Sequence, residues 1–496
     1  MPLFKKPIEQ EFFNLRFRAG RPMTELEFYA RELTDWETSP ERREMIDGDR
    51  YYTGDHDILK RQRTAIGPDG KLIVIENLPN NRIVDNQYAK HVDQKANYLL
   101  GQPISFSCEN DDYAAEVKKV LGMRFMRTLK SAGVECLNAG ISWLYPYYNK
   151  NGELAFRVFP GYEIMPFWAD AAHTELDSAL RLYPVEVYYG TEKKIVKKVD
   201  LFTLEGVTTY IFENGVLTPD TEKQAYVKVK DSKGNEQPLN WERFPLIPIK
   251  YNPKEVPLIR RGRSLQDAIN LLQSDFVNNM EEDVRNTVLV LKNYDGQDLG
   301  EFRRNLTTYG AIKVRTVEGT DGGVDSLEIS VNSENYKTVL ELLKKALIEN
   351  LRSYDAKDDR LSGTPNQMNI QSMYCDIDLD ANAMETELQA SFEEILWFVN
   401  TYLANTGKGS YESEDITVIF NRDILINESE AVDNCSKSVG IISDETIVAM
   451  HPWVDDPAAE LERLEKQKAE ADPYRAAFEQ AQALRNPEGG DPVNEE

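Results

Sequence analysis

Residues 262–292 read GRSLQDAINLLQSDFVNNMEEDVRNTVLVLK, and this stretch decides the architecture that the sequence predicts. Apolar side chains recur along it every three or four residues, as they do on one face of an α-helix. They are Leu265, Ile269, Leu272, Phe276, Met280, Val284, Val288 and Leu291. Ser264 followed by Asp267 resembles a capping box at the start of the helix. The pattern therefore predicts one long helix, which would measure roughly 45 Å.

A second long helix is predicted to run back beside the first. Residues 334–353 carry apolar side chains at the same spacing and would measure roughly 30 Å. These side chains are Tyr336, Val339, Leu340, Leu343, Leu347 and Leu351. Between the two helices, 294–331 contains two predicted short strands, Ala311–Val317 and Ser326–Val331, around a glycine-rich turn. We therefore expect a small separate module that contains β-structure.

The returning helix is followed by a segment without periodicity. Residues 354–373 are rich in turn-forming and small polar residues, and a third long helix is predicted from Asp378 or Asp380 to about residue 404. About twenty residues without regular structure are uncommon inside a compact region and are often functional. We therefore expect 354–373 to be a functional loop.

The part of the chain before the first long helix has a different period. Thr24 and Ser39-Pro40 are predicted helix starts within a mainly helical first hundred residues. From 104 to 250, two helices are followed by β-branched and aromatic runs that turns such as Asn214-Gly215 separate. Such turns are typical of antiparallel hairpins. The sequence therefore predicts an α+β fold rather than a series of βαβ units.

The composition excludes some classes of protein. The chain has 496 residues, with 58 Lys+Arg against 84 Asp+Glu, and its formal net charge is −26. That balance argues against a protein that binds nucleic acid over a large surface, although it allows nucleic acid to pass nearby. No uncharged apolar stretch of about 18 residues occurs, so no membrane span is predicted. The four cysteines are far apart, which favours buried reduced thiols in a cytoplasmic chain over disulfides or a zinc site.

Known catalytic and cofactor signatures are missing from the sequence. There is no phosphate-binding GxxxxGK[ST] or strand-linked GxGxxG motif, no GxSxG elbow and no HExxH pair, so no cofactor is expected. The acidic pairs Asp358-Asp359 and Asp455-Asp456 could hold a divalent cation. Adjacent carboxylates on one chain rarely converge on one ion, so the sequence predicts no metal site.

Two basic clusters are candidates for a functional contact. Arg260, Arg261 and Arg263 lie where the first long helix is predicted to begin. They could form an ion pair between subunits, contact phosphate, or be a solvated helix entry. Cations at a helix N-terminus oppose the helix dipole, which favours a specific partner. Lys357 and Arg360 lie in the aperiodic segment, where in a ring each would recur once per subunit.

Several short motifs, in this order along the chain, resemble the portal protein family of tailed bacteriophages, in the branch of siphophages and prophages of Gram-positive hosts. The resemblance covers about 50–425. It rests on Tyr51-Tyr52-Thr53-Gly54-Asp55-His56-Asp57-Ile58, on Asn97-Tyr98-Leu99-Leu100-Gly101-Gln102-Pro103, on Gly140–Leu144 with Phe159–Pro166, on Gly262-Arg263-Ser264-Leu265, on Ser362-Gly363, and on Asp376–Asn382.

The resemblance implies a portal fold with a wing, a stem of long helices, a small α/β clip, a tunnel loop and a helical crown. The implied domains are a wing at 1–260, stem helices at 261–293 and 333–353, a clip at 294–332, a tunnel loop at 354–373, a long helix and returning wing strand at 374–426, a crown at 427–471 and an acidic mobile tail at 472–496.

The resemblance also implies a function and its partners. A ring of about twelve subunits at one capsid vertex would conduct double-stranded DNA during packaging and ejection. It would bind the terminase large subunit, scaffolding and major capsid proteins, and later a head-completion adaptor, in a virion assembled in the host cytoplasm without a membrane partner. Residues implied to line the tunnel are Lys357, Asp358, Asp359, Arg360, Ser362, Gly363, Asn366, Gln367 and Asn369. Residues implied to contact the motor or adaptor on the clip are Arg303, Arg304, Lys313 and Arg315.

Two alternatives stay open on the sequence alone. One is a different structural connector of the virion, although two long helices disfavour a small adaptor. The other is an enzyme with a carboxylate site in the 104–250 body, for which the only support is the abundance of Asp and Glu.

Overall fold

The computed structural model describes residues 23–66, 69–74, 78–230, 236–283, 288–292, 323–327, 333–356, 367–411, 413–422, 428–454 and 457–471. The chain divides into two compact units. The first comprises Met1–Tyr354 with Asp376–Asp423, and the second comprises Asp355–Cys375 with Ile424–Glu496.

The part of the chain that the structure describes begins with two helices whose starts the sequence predicts correctly. Helix α1 is Glu25–Glu37 and α2 is Pro40–Thr53. The Thr24 hydroxyl accepts a hydrogen bond from the Glu27 N–H at 3.2 Å, and the Ser39 hydroxyl accepts one from the Arg42 N–H at 3.1 Å. Such caps satisfy N–H groups that have no partner within the helix.

A small hairpin and a helical layer follow. Strands β1 (Thr64–Ile66) and β2 (Leu72–Val74) pair antiparallel. The next elements are α3 (Gln87–Leu100), β3 (Ser105–Ser107), α4 (Asp111–Val120) and α5 (Met123–Ala139). Helix α5 ends at Gly140, whose φ is +82°. A Cβ there would lie 2.2 Å from the Glu255 carbonyl oxygen, so this turn requires glycine.

The body from 141 to 250 is antiparallel, as the hairpin turns predict. A three-stranded sheet has the order β13-β4-β5, and a five-stranded sheet has the order β10-β9-β8-β7-β6. The strands are β4 Ile141–Tyr148, β5 Leu154–Phe159, β6 Ile164–Trp168, β7 Leu176–Tyr189, β8 Glu192–Thr203, β9 Gly206–Glu213, β10 Val216–Pro219, β11 Val227–Lys230, β12 Glu236–Leu239 and β13 Ile247–Lys250. Phe28 and Leu33 of α1 belong to the same apolar core as Phe167 and Leu180 of the larger sheet. This combination of helices and antiparallel sheets is an α+β fold.

The first long helix differs from its prediction at both ends. Helix α6 is Ile259–Asp283, so Ser264 and Asp267 lie within it and the predicted capping box is wrong. Residues Val288–Lys292 form strand β14, which pairs with β15, Gly323–Leu327. The β-branched residues of 288–292 favour a strand although their spacing continues the helical stripe. The predicted strand Ser326–Val331 is placed slightly late, and Ala311–Val317 lies outside the described residues.

The remaining helices complete both units. Helix α7 is Ser333–Asn350 and α8 is Gln367–Asn405; strand β16, Thr417–Ile419, pairs with β3. In the second unit, α9 is Glu428–Ser438, α10 is Asp444–Ala449 and α11 is Pro457–Ala471. Helix α8 begins eleven residues before the predicted Asp378, because Ile370, Met373 and Tyr374 are buried at helical spacing.

One face of α6 is both polar and buried. Of the predicted apolar stripe, Ile269 is fully buried but Met280 is 54 % exposed. Four polar side chains spaced every fourth residue are also fully or almost fully buried: Gln266, Asn270, Ser274 and Asn278. We call these four residues the polar ladder. The buried side of this helix is therefore formed by the polar ladder together with part of the apolar stripe.

The polar ladder binds the backbone of residues 81–88, which lead into α3. Each ladder oxygen accepts a hydrogen bond from one backbone N–H group. Gln266 accepts from Tyr88 at 2.9 Å, Asn270 from Asp85 at 3.0 Å, Ser274 from Ile83 at 2.9 Å, and Asn278 from Asn81 at 2.7 Å. A half-buried backbone segment that belongs to no sheet thereby obtains hydrogen-bond partners, as does the first turn of α3 at Tyr88.

The spacing of the ladder residues along α6 matches the spacing of the backbone N–H groups in the segment before α3. Four residues of an α-helix rise about 6.0 Å, and two residues of extended chain rise about 6.6 Å. Asn278, Ser274 and Asn270 can therefore meet every second residue of an extended segment that runs antiparallel to α6. The fourth partner, Tyr88, follows three residues after Asp85 and lies in the first turn of α3. Asn270 also forms a hydrogen bond outside the ladder, because its side-chain N–H donates to His56 Nδ1 at 2.7 Å. Burial lowers the pKa of His56 and so favours the neutral ring that can accept this bond.

We expect Ser274→Ala to lower the free energy of unfolding by about 1 kcal/mol, because the half-buried Ile83 N–H loses its acceptor. The matched control is Ser264→Ala, an exposed serine on the same helix. The control should change stability by only a few tenths of a kcal/mol, in the favourable direction that helix propensity dictates. Urea unfolding of both variants checks this, and equal midpoints would show that the ladder bonds contribute nothing.

Candidate functional site

The two long helices α6 and α7 pack closely and antiparallel. A Cβ on Gly262 would lie 2.9 Å from Leu351 and 3.0 Å from Leu347, so glycine allows close approach at one end. At the other end, the Phe276 and Tyr336 rings lie 4.8 Å apart. The pair of long helices predicted from the sequence is therefore present, with α7 returning beside α6.

A buried carboxylate lies where the helix pair meets the rest of the first unit. Asp380 of α8 is surrounded by four groups, and we call this arrangement the Asp380 node. Lys95 Nζ lies 2.7 Å away, the Tyr251 hydroxyl donates at 2.6 Å, Arg261 lies at 3.1 Å and Arg352 at 3.7 Å. The node thus joins α3, α6, α8, the chain after β13 and the chain after α7.

The electrostatics of the node favour an ionised Asp380. Burial raises the pKa of this carboxyl, but Lys95, Tyr251 and Arg261 outweigh burial and hold the pKa below its ordinary value. Burial lowers the pKa of Lys95, and the nearby Asp380 carboxylate opposes that shift in part. Lys95 also donates to the Arg352 carbonyl oxygen at 3.0 Å. Three cations therefore share one carboxylate, and the loss of that carboxylate would leave Lys95 buried beside like charges.

Helix α3 binds the chain on both sides of residues 357–366. On one side, Gln94 donates to the Tyr354 carbonyl oxygen at 3.3 Å. On the other side, the Tyr98 hydroxyl donates to Asp378 at 3.0 Å, and Asp378 also pairs with Arg422. The exit from α7 and the first-unit part of α8 are therefore fixed to the same helix.

The three arginines predicted at the helix entry lie within the first turns of α6. Arg260 pairs with Glu44, and Arg261 pairs with Asp380. Arg263 binds two carboxylates, Asp47 and Asp57, each at 2.7 Å. The entry is therefore not simply solvated, because each guanidinium has a partner within the chain. A contact of these arginines with another subunit or with phosphate stays a prediction.

The structure describes only two of the other predicted site residues. Gln367 and Asn369 lie in the first turn of α8, so their assignment to a loop is wrong. The Gln367 N–H donates to Glu430 at 2.8 Å within the second unit. The remaining tunnel residues and all four clip residues lie outside the described residues: Lys357, Asp358, Asp359, Arg360, Ser362, Gly363, Asn366, Arg303, Arg304, Lys313 and Arg315.

Other expectations from the sequence can be compared with the structure. All four cysteines are free thiols, but only Cys136 and Cys435 are buried and Cys375 is exposed, so the prediction of four buried thiols is wrong. Within the described ranges, no cluster of three His, Cys, Asp or Glu side chains could hold a metal ion. None of the helices in the described part of the chain is long and apolar enough to cross a membrane.

We expect Asp380→Asn to destabilise the protein by about 3–5 kcal/mol, since it removes the charged partner of a buried lysine. The matched control is Asp378→Asn, two residues earlier on α8, where the side chain is 41 % exposed. The control should cost at most about 1 kcal/mol. Thermal and urea unfolding of both variants check the difference, and equal losses would contradict a special role for the node.

The stabilities of wild type and Asp380→Asn should also depend differently on pH. The pKa of Asp380 is lowered in the folded state, so its contribution is complete above its unfolded pKa of about 3.9. That contribution is lost as the pH falls through the lower folded value. The gap in stability between wild type and Asp380→Asn should therefore be constant near neutral pH and shrink in acid.

Comparison with known proteins assigns the family. The family described as "Phage portal protein, SPP1 Gp6-like" matches residues 37–474. The portal protein of Bacillus phage SPP1 is 31 % identical over 427 residues, which are 85 % of this chain and 83 % of that protein. The portal protein of Clostridium phage phiCD119 is 27 % identical over 443 residues, 87 % of this chain and 94 % of that protein.

Among solved structures, a chain described as "Neck of empty GTA particle computed with C6 symmetry" aligns over 72 % of this chain and 87 % of its own length. It has 12 % identity and a TM-score of 0.36. The sequence matches alone decide the assignment, and they confirm the resemblance to portal proteins of phages of Gram-positive hosts. The chain belongs to the SPP1 Gp6-like family of phage portal proteins.

Proposed function

We propose that copies of this chain form a ring at one vertex of a phage capsid, and that the ring is the channel for DNA packaging and ejection. The observation that carries the proposal is the family match over 37–474, which includes the long helices. Head-to-tail contacts that close on themselves produce rings, and about twelve copies are proposed here. Such a protein would be structural rather than an enzyme with a carboxylate site.

The domain assignment is part of the same proposal. The wing comprises 1–258 and the part of 374–426 that returns to it. The stem comprises α6 and α7, with α6 measuring about 37 Å. Because α6 ends at Asp283, the pair of strands β14 and β15 belongs to the clip rather than the stem. The crown is 427–471, the acidic tail is 472–496, and the tunnel loop is reduced to the residues between α7 and α8.

The charge of the chain suits a channel through which DNA moves. Each Lys or Arg that binds a phosphate releases counterions and strengthens the contact, so a strongly basic wall would retain DNA. The formal charge of −26 per copy avoids such retention. In salt of physiological strength, repulsion from the wall would extend only about 8 Å.

The partners follow from the proposed position. The clip, with Arg303, Arg304, Lys313 and Arg315, would contact the terminase large subunit during packaging and a head-completion adaptor afterwards. The wing and crown would contact the scaffolding and major capsid proteins while the procapsid forms. The mature location is the virion, after assembly in the host cytoplasm.

We expect electron microscopy of the purified protein under assembly conditions to show rings with a central opening wide enough for duplex DNA. The physical reason is that the long helices of one copy are proposed to lie beside those of the next. Mass photometry provides the number of copies. A protein that stays monomeric over a range of concentration and salt would contradict the proposal.

Deletion of residues 358–366 should leave rings intact and strongly reduce the fraction of DNA-filled heads. The deletion stops before α8, so the helix and the Asp380 node are preserved. A deletion of equal length from the tail, residues 488–496, is the control and should leave filling unchanged. The measurement is the ratio of filled to empty heads assembled with each variant as the only portal. Normal filling with the first deletion would show that this segment is not the tunnel loop.

A further inference from the structure

The hairpin of β1 and β2 carries apolar side chains that stay exposed within the part of the chain that the structure describes. Ile66 is 77 % exposed and Leu72 is 72 % exposed, and Val74 is exposed as well. The register pairs Ile66 with Leu72 and Thr64 with Val74, so these four side chains share one face. A two-stranded hairpin with an uncovered apolar face is marginally stable in water. The face is therefore suited to contact another surface.

Both ends of the hairpin are anchored on α6. Before the hairpin, Arg61 pairs with Asp275 of α6 at 2.8 Å. After it, the polar ladder binds residues 81–88. Between these anchors, Arg63 donates to the Pro79 carbonyl oxygen at 2.9 Å, which links the two legs. The described residues that flank the hairpin are thus held against α6, while Ile66, Leu72 and Val74 stay exposed.

A second apolar surface lies on the returning helix. Val339 and Leu342 of α7 are exposed, with Leu342 at 62 %, and their spacing of three residues places them on one face. The helix pair is antiparallel, with Gly262 beside Leu347 and Phe276 beside Tyr336, so Leu271 of α6 lies at about the level of Leu342. Leu271 is exposed too. The stem surface is defined here as Val339 and Leu342.

We propose that the β1–β2 hairpin of one copy docks on the stem surface of the next copy, head to tail. The proposal rests on the ring assembly proposed above and names the contact that would build it. Two copies of a chain with a formal charge of −26 repel each other, so their interface needs uncharged surfaces. Two different surfaces on one chain produce a heterologous contact, which propagates around a ring, whereas one self-complementary surface would stop at a dimer.

Charge-neutral double variants test the contact without adding net repulsion. The hairpin variant is Ile66→Glu with Leu72→Lys, which places opposite charges directly across the two strands and preserves the pairing. The stem variant is Val339→Glu with Leu342→Lys, which places opposite charges three residues apart on α7. The control is Ile195→Glu with Val216→Lys, two exposed apolar positions of the five-stranded sheet. All replaced side chains are exposed, so circular dichroism and melting curves should match wild type.

We expect wild type and the control to form rings, and each of the other two variants to remain monomeric by mass photometry. An equimolar mixture of the hairpin and stem variants should form dimers and nothing longer. In that mixture only one contact is intact, namely the hairpin of the stem variant on the stem surface of the hairpin variant. A partner of another kind, or the same surface pairing with itself, would not produce this stoichiometry.

The failures are distinguishable. If wild type forms rings and either variant also does, the hairpin has a different occupant and this inference is wrong while the ring proposal stands. If both variants are monomeric but their mixture is too, the two surfaces do not meet each other, which also overturns the inference. If wild type itself never assembles, the ring proposal is wrong, and this inference is wrong as well because it depends on the ring.

Discussion

The polar ladder of Gln266, Asn270, Ser274 and Asn278 is the interaction on which the arrangement of the first unit depends. A buried apolar stripe alone would hold a helix against its neighbour but would resist sliding along the helix axis only weakly, because hydrophobic contact is not directional. Hydrogen bonds to successive backbone N–H groups permit one register, and a shift would leave buried donors without partners. The ladder therefore fixes α6 lengthwise against the segment that precedes α3.

The Asp380 node also fixes the position of α6, here through ion pairs rather than through hydrogen bonds to the backbone. Lys95 on α3 and Arg261 on α6 meet at a carboxylate of α8, so three helices are held at one point. Lys344 of α7 also pairs with Asp85, whose N–H the ladder binds. Ladder and node are thus linked through α6 and α7. Within the first unit, the chain after α7 and the part of α8 from Asp376 onward are both bonded to α3.

The sequence predicts features whose cause is local and misses those whose partner is distant. Thr24 and Ser39 are recognised as caps because the N–H groups they bind are three residues away. The backbone partners lie 178 to 197 residues before the ladder residues that bind them, and backbone N–H groups leave no trace in the side-chain pattern. A run of Gln, Asn, Ser and Asn at every fourth position was the available signal. Val288 misled the helix prediction because its spacing fits both a helix stripe and a strand.

The ladder also connects the two surfaces proposed to join neighbouring copies. The hairpin is attached to α6 through Arg61 on one leg and through the ladder on the other, and α7 packs along α6. The segments that flank the hairpin and the stem surface are therefore attached to the same helix within the first unit. A ring closes only if every copy presents its two contact surfaces at the same angle, since a varying angle produces open chains of mixed curvature. A directional set of hydrogen bonds is the kind of interaction that can hold such an angle constant, and the polar ladder places such a set on the buried side of α6.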